Sequence, residues 1–128
     1  MRLLLDTHAL IWALLGSGEL TDRVRCLLRD PSNEISVSAA SAWEIAVKYR
    51  IGKLPEAKDV ALHLAAHIRK ARFASLPISL DHALAAGALP GPHRDPFDRM
   101  LIAQARLENL AVVTIDPVFG AYEVSVVW

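Results

Sequence analysis

The chain has 128 residues, 14 basic and 14 acidic side chains, zero net charge and 53% hydrophobic residues. That length supports a single domain spanning 1–128, and the neutral balance counts against a general nucleic-acid binder, which is ordinarily basic. No apolar run approaches the ~20 residues that cross a bilayer, so no segment is expected to span a membrane.

Met1-Arg2-Leu3-Leu4-Leu5-Asp6 meets an acid too early for a signal peptide. Arg2 to Leu5 reads as a buried strand ending at Asp6. Thr7 to Leu15 follows as a helix stopped by Gly16 and Gly18. Thr21 or Asp22 caps a second helix through Arg29. Within it lies the single cysteine, Cys26. It rules out an internal disulfide, fits a reducing, cytoplasmic setting, and reads as a small packing residue between Val24 and Leu28. Asp30-Pro31-Ser32-Asn33 is a turn, and Glu34 to Ser38 alternates like a strand.

A third helix is expected from Ala39 to Ile51, closed by Gly52, and a fourth from Glu56 to Ala71. Ala74 to Ile78 reads as a short strand, which Pro77 places at a sheet edge. Leu80 to Ala88 is a small helix. Leu89-Pro90-Gly91-Pro92-His93 is a rigid loop leading to Arg94-Asp95-Pro96-Phe97-Asp98-Arg99 and a buried helix. There Asp95 is the natural N-cap and Pro96 the first helical residue. Ala111 to Ile115 is a further strand, and Val124 to Val127 the last. Strands alternating with helices in so apolar a chain imply a three-layer α/β/α fold. Its central sheet would be mostly parallel, with about five strands and both faces covered.

Four acids occupy positions where such a fold builds its site. Asp6 and Asp116 follow the two most apolar strands, beyond whose carboxyl ends ligands bind. Asp98 shares a helical stripe with Leu101, Ile102 and Ala105, and Glu44 aligns with Val47 and Ile51. The plain alternatives are capping boxes, Asp98 reaching back to the Asp95 N–H and Glu44 pairing with Ser41. If the four converge they repel, by about 4 kcal/mol for carboxylates ~4 Å apart at an effective dielectric near 20. A fold tolerates that by protonating some or by holding a cation. All-oxygen ligands favour Mg²⁺ or Mn²⁺, and such a site suits metal-assisted phosphodiester hydrolysis.

The motifs carrying these acids resemble the PIN-domain family, specifically its VapC-type toxins of bacterial type II toxin–antitoxin systems. Leu3-Leu4-Leu5-Asp6-Thr7-His8, Ser41-Ala42-Trp43-Glu44-Ile45-Ala46-Val47-Lys48, His93 to Arg99 and Thr114-Ile115-Asp116-Pro117-Val118-Phe119 resemble the family's four acid-bearing segments in order. The resemblance implies a Mg²⁺- or Mn²⁺-dependent endoribonuclease acting on RNA. Asp6 and Asp98 would be the principal metal ligands, and Asp116 and Glu44 would complete the acidic catalytic pocket, through water or a second ion. It also implies a homodimer and a cognate antitoxin whose tail covers the acidic groove.

Other α/β sheets also place an Asp after the first strand, and their motifs differ. A haloacid-dehalogenase-like phosphotransferase needs a second Asp where His8 stands. A receiver domain needs an acidic pair and a later strand-end lysine that are not evident. A PIN scaffold that only binds RNA or a protein partner is the remaining alternative. Lys48, Arg50, Lys53, Lys58, Arg69, Lys70 and Arg72 suggest either a basic rim or plain solvated faces. The five histidines show no metal spacing shared with an acid motif, and His63 with His67 reads as a solvated or packing pair. Trp12, Trp43 and Trp128 read as core or dimer packing.

Overall fold

The computed structural model describes all 128 residues. Its elements are β1 (Arg2–Leu5), α1 (Thr7–Leu15), α2 (Asp22–Arg29), β2 (Glu34–Ser38), α3 (Ala39–Arg50), α4 (Lys58–Leu62), α5 (Leu64–Lys70), β3 (Ala74–Leu76), α6 (Leu80–Ala88), α7 (Pro96–Glu108), β4 (Ala111–Val113) and β5 (Val126–Val127). Short 3₁₀ turns lie at Pro55–Ala57 and Pro117–Tyr122. The strands form one sheet in the order β3-β2-β1-β4-β5, and every pairing is parallel. Pro77, directly after β3, does mark an edge, because a residue without an N–H cannot extend the ladder.

Strand alternation divides the core in two. Leu3 and Leu5 of β1 with Val113 of β4 pack under Leu10, Val24, Ile45, Val60 and Ile68. On the opposite face Leu4 and Val112 meet Leu101, Ile102, Ala105, Phe119 and Tyr122. The result is the three-layer arrangement expected from the sequence. No helix is long and apolar enough to cross a membrane.

Several local expectations are corrected. The helix expected over 56–71 is broken at His63, whose backbone (φ −126, ψ 34) leaves the helical region. Ala57, Val60, Leu64 and Ile68 keep helical spacing across the kink, so periodicity cannot reveal it. The strand expected to reach Ile115 stops at Val113, since the Thr114 hydroxyl accepts the Asp116 N–H at 2.9 Å and turns the chain. Cys26 is exposed rather than packed. The inward stripe of α2 is Val24 with Leu27 and Leu28, and Cys26 lies off it. Trp12 and Trp128 pack against the core and edge-on to each other, but Trp43 is 63% exposed and is not a core residue. His63 and His67 both turn towards Asp59 on the surface.

A polar network ties the α7 layer to the sheet. Ser36 and Ser38 of β2 share the face of Leu4, and fully buried Gln104 of α7 comes down on it. Gln104 Oε1 accepts the Ser38 hydroxyl at 2.5 Å, while Nε2 donates to the Pro77 carbonyl at 3.2 Å and to His82 Nδ1 at 3.3 Å. His82 Nδ1 also accepts the Ser79 N–H, so the ring proton sits on Nε2 and is donated to Glu108 at 2.8 Å. Replacing Gln104 by methionine keeps the volume but strips Ser38 and Pro77 of a buried partner. This should cost about 2 kcal/mol of stability, read as a lower denaturant midpoint; an unchanged midpoint would remove the network from the account.

Candidate active site

In an all-parallel sheet the helix following each strand begins at the same edge, so helix N-termini gather there. The order of the sheet reverses between β1 and β4, and Asp6 stands at that switch point. Its Oδ1 caps α1 by accepting the Ala9 N–H at 2.8 Å, and the residue is 5% exposed. Burial raises the Asp6 carboxyl above the usual range; the Thr114 hydroxyl, the Ala9 N–H and His8 oppose this, and Asp116 reinforces it. Asp116 follows β4 across the switch point. Its Oδ1 accepts the Val118 N–H at 3.0 Å and caps the Pro117–Tyr122 turn.

Asp98 enters from α7. Asp95 takes both capping bonds, from Phe97 N at 2.8 Å and Asp98 N at 3.1 Å, with Pro96 in the first turn. The Asp98 side chain does not reach back to the Asp95 N–H. It meets His93 instead, Oδ2 to Nε2 at 2.9 Å. Burial is the largest cause that pushes Asp98 up to about 6; the His93 bond lowers it, and Asp95 and Glu44 raise it further. The loop before α7 holds His93 in place. Its N–H donates to the Tyr122 hydroxyl at 3.2 Å, and Arg99 donates to the His93 and Leu89 carbonyls. Gly91 (φ +101) is obligatory here, because a Cβ would stand 2.6 Å from the Tyr122 hydroxyl oxygen.

Glu44 lies in the second turn of α3, which Ser38 caps through Ala40 N, so the capping box with Ser41 does not form. Glu44 is 4% exposed. Its Oε1 accepts the Thr7 hydroxyl at 2.6 Å and its Oε2 the Lys48 ammonium at 2.6 Å. Of the basic tract, Lys48 is thus the member whose ion pair lies at the acids; Arg50, Lys53, Lys58, Arg69, Lys70 and Arg72 are on exposed surfaces.

The four acids therefore stand as two electrostatic neighbours, Asp6 with Asp116 and Asp98 with Glu44. No three Asp, Glu, His or Cys side chains close round one point. Asp98 and Asp116 each keep one carboxyl oxygen outside the hydrogen bonds described, and no buried side-chain oxygen lacks a partner, so these oxygens open on solvent. Glu44 has neither oxygen free. The donors available to a cation are hard carboxylate oxygens, two of their carboxyls held above the usual range, which suits Mg²⁺ or Mn²⁺ better than a soft ion.

Sequence reasoning passed over His93, Thr7, Lys48 and Thr114 as members of this site. Lys48 was legible as an i, i+4 partner of Glu44. His93 was not, since its contact depends on a loop conformation that no spacing encodes.

The raised carboxyls make a signed prediction. A folded-state value above the unfolded one means the native protein holds a proton that the unfolded chain releases. Metal-free protein should therefore lose stability as pH rises from about 4 through about 6, by of order 2 kcal/mol, and level off above. Asp98→Asn should flatten that slope in denaturant melts between pH 4 and 7.5. An equally steep slope in the variant would assign the effect elsewhere.

Comparison with known proteins agrees with this fold. Ribonuclease VapC16 of Mycobacterium tuberculosis is 40% identical over 67 residues, which are 52% of this chain and 46% of that protein, so the match spans about half the length of the relative. VapBC2 from Rickettsia felis, crystallised bound to a DNA fragment from their promoter, superposes with a TM-score of 0.73 at 18% identity, covering 99% of this chain and 98% of that one. The Sarcin-Ricin loop cleaving toxin VapC20 of Mycobacterium tuberculosis gives 0.66 at 16% identity over 95% of each chain. At these identities the two superpositions establish the fold alone. The sequence pattern that describes the PIN domain matches residues 3–124, and the chain belongs to the PIN-domain family.

Proposed function

We propose that this chain is a Mg²⁺- or Mn²⁺-dependent endoribonuclease, the toxin of a type II toxin–antitoxin pair, hydrolysing RNA phosphodiester bonds at the acidic edge of its sheet. The observation that carries this reading is that Asp6 and Asp98 are both held above the ordinary carboxyl range by burial at that edge. The ammonium at the site, Lys48, is engaged by Glu44 rather than by either of them. Asp6 is buried without an ion pair, and Asp98, half-buried, has His93 on one oxygen and the other open, so the edge has a place for a bound cation. Family membership and a relative named as a ribonuclease support the choice of chemistry.

Asp6, Asp98 and Asp116 would hold the cation partly through bridging water, since no three of these side chains close round one point. When bound, such a cation supplies Lewis-acid polarisation of a phosphoryl oxygen and a more acidic water. Glu44 adds negative charge to the pocket while Thr7 and Lys48 fix its orientation. His93 orients Asp98, and the Asp95 cap leaves the Asp98 side chain free to face the site. A homodimer, a cognate antitoxin that covers the acidic groove, and a cytoplasmic setting belong to the same proposal. The likeness of fold to VapBC2 from Rickettsia felis supports the antitoxin partner.

The test is incubation of purified, antitoxin-free protein with total RNA in Mn²⁺, Mg²⁺ or EDTA, with the new 5′ ends sequenced. Discrete metal-dependent cuts are expected. Absence of cleavage in every metal would overturn the nuclease and leave a PIN scaffold that binds RNA or a partner. Asp98→Asn should abolish cleavage without unfolding the chain, and wild-type-like activity would remove Asp98 from the site. Glu44→Gln should lose less activity than Asp98→Asn, because both its oxygens are already engaged; an equal loss would make Glu44 a direct ligand. In thermal melts Mn²⁺ at a hundredfold excess over its dissociation constant should stabilise the wild type by roughly 2.7 kcal/mol. Asp6→Asn should largely lose that response, and an equal shift in both proteins would exclude Asp6 as a ligand.

A further inference from the structure

Two aromatic residues immediately precede two of the acids. Trp43 comes before Glu44 on α3, and Phe97 before Asp98 on α7. Successive helical residues point about 100° apart. Where the acid turns inward, its predecessor is therefore carried to the rim. The rings meet there edge-on, with centroids 5.2 Å apart and planes at 78°. Phe97 is half-buried and braces the contact, whereas Trp43 remains 63% exposed. A large indole is thus held in one place without being covered.

The surroundings say what would cover it. The outward face of α3 carries exposed Ala39 and Ala46 on either side of Trp43, so no bulky side chain shields the indole. Arg50 is exposed on the same face, seven residues further on, or about 10.5 Å along the helix. Lys48, between them in the sequence, turns instead to the Glu44 side of the helix, where its ammonium is paired at 2.6 Å. A flat apolar surface with a free guanidinium on the same helix face, adjoining a site for phosphate chemistry, matches single-stranded nucleic acid, whose bases stack on aromatic rings while its phosphates meet basic groups.

We propose that Trp43, braced by Phe97, is a stacking platform for an unpaired base of the RNA strand, one nucleotide or so from the phosphate presented to the acids. The inference rests on the ribonuclease reading above and adds to it a determinant of substrate binding. It makes the enzyme selective for unpaired RNA at that position, since a base within a duplex keeps its faces stacked on its neighbours.

The experiment uses a single-stranded oligoribonucleotide containing a mapped cut site, and copies with an abasic residue at each nucleotide flanking it. KM and kcat are measured in Mn²⁺ for wild type, Trp43→Phe and Trp43→Leu. Trp43→Leu should raise KM about tenfold with little change in kcat, and Trp43→Phe should retain most of the affinity. One abasic position should weaken wild type by a similar factor yet have no further effect on Trp43→Leu. Equal abasic penalties in wild type and Trp43→Leu would overturn the platform. So would an unchanged KM, or a change in oligomeric mass by light scattering with RNA binding unaltered, which would make Trp43 a contact between copies of the chain. Quenching of tryptophan fluorescence by the same oligoribonucleotide in EDTA separates this outcome from failure of the nuclease reading. Quenching present in wild type and lost in Trp43→Phe supports the platform even if no cleavage occurs, and absence of quenching in wild type refutes it.

Discussion

All five strands run the same way, and that single constraint determines where charge can accumulate in this protein. Parallel strands oblige α1, α3 and α7 to present their N-termini at one edge, where backbone N–H groups lack intrahelical partners. Short oxygen-bearing side chains satisfy them. Asp6 caps α1, Ser38 caps α3, Asp95 caps α7 and Asp116 caps the last 3₁₀ turn. Helix termini favour such negative groups, yet desolvation exceeds that help at Asp6 and Asp98, whose carboxyls stay raised. The edge is consequently acidic by construction and only partly neutralised by its own chain.

A ring of supporting contacts determines how rigid that edge is. Asp98 is oriented by His93, and His93 by Tyr122 and Arg99. Glu44 is oriented by Thr7 from α1 and Lys48 from its own helix. These contacts come from three helices, the loop before α7 and the last 3₁₀ turn, so the site exists only when the layers are assembled. The Gln104 network serves the same end from below, joining α7 to β2 and to the segment after β3. Fully satisfied buried polar groups of this sort tie the register of α7 to the sheet, whereas apolar contacts alone allow it to slide.

The arrangement has a thermodynamic consequence. Groups held in unfavourable protonation at the site oppose folding, and the two apolar cores must outweigh them. A ligand that binds the folded chain through those groups returns the difference by mass action. Stability and any ligand binding at this edge are thereby coupled through the same carboxyls, with the cores supplying the margin.

Much of this was legible in the sequence, because it depends on local signals. Apolar runs alternating with amphipathic helices dictate a parallel three-layer fold; Asp95-Pro96 dictates a helix start; and Asp6 and Asp116 stand after strands whose ends must share an edge. The four acid-bearing motifs in order sufficed to mark the family. What the sequence could not decide depends on how layers meet. Asp98 and Glu44 both matched capping boxes, and only the packed structure turns one to His93 and the other to Thr7 and Lys48. Cys26 and Trp43 looked like packing residues in apolar runs, but the orientation of each helix against the sheet leaves both outside. The kink at His63 leaves the hydrophobic spacing intact, so the pattern carries no trace of it. Sequence determines which faces are apolar and which residues cap, through interactions a few residues in range. Tertiary structure decides which polar groups from distant segments become partners, because those contacts require the sheet order and the loop conformations that local spacing does not encode.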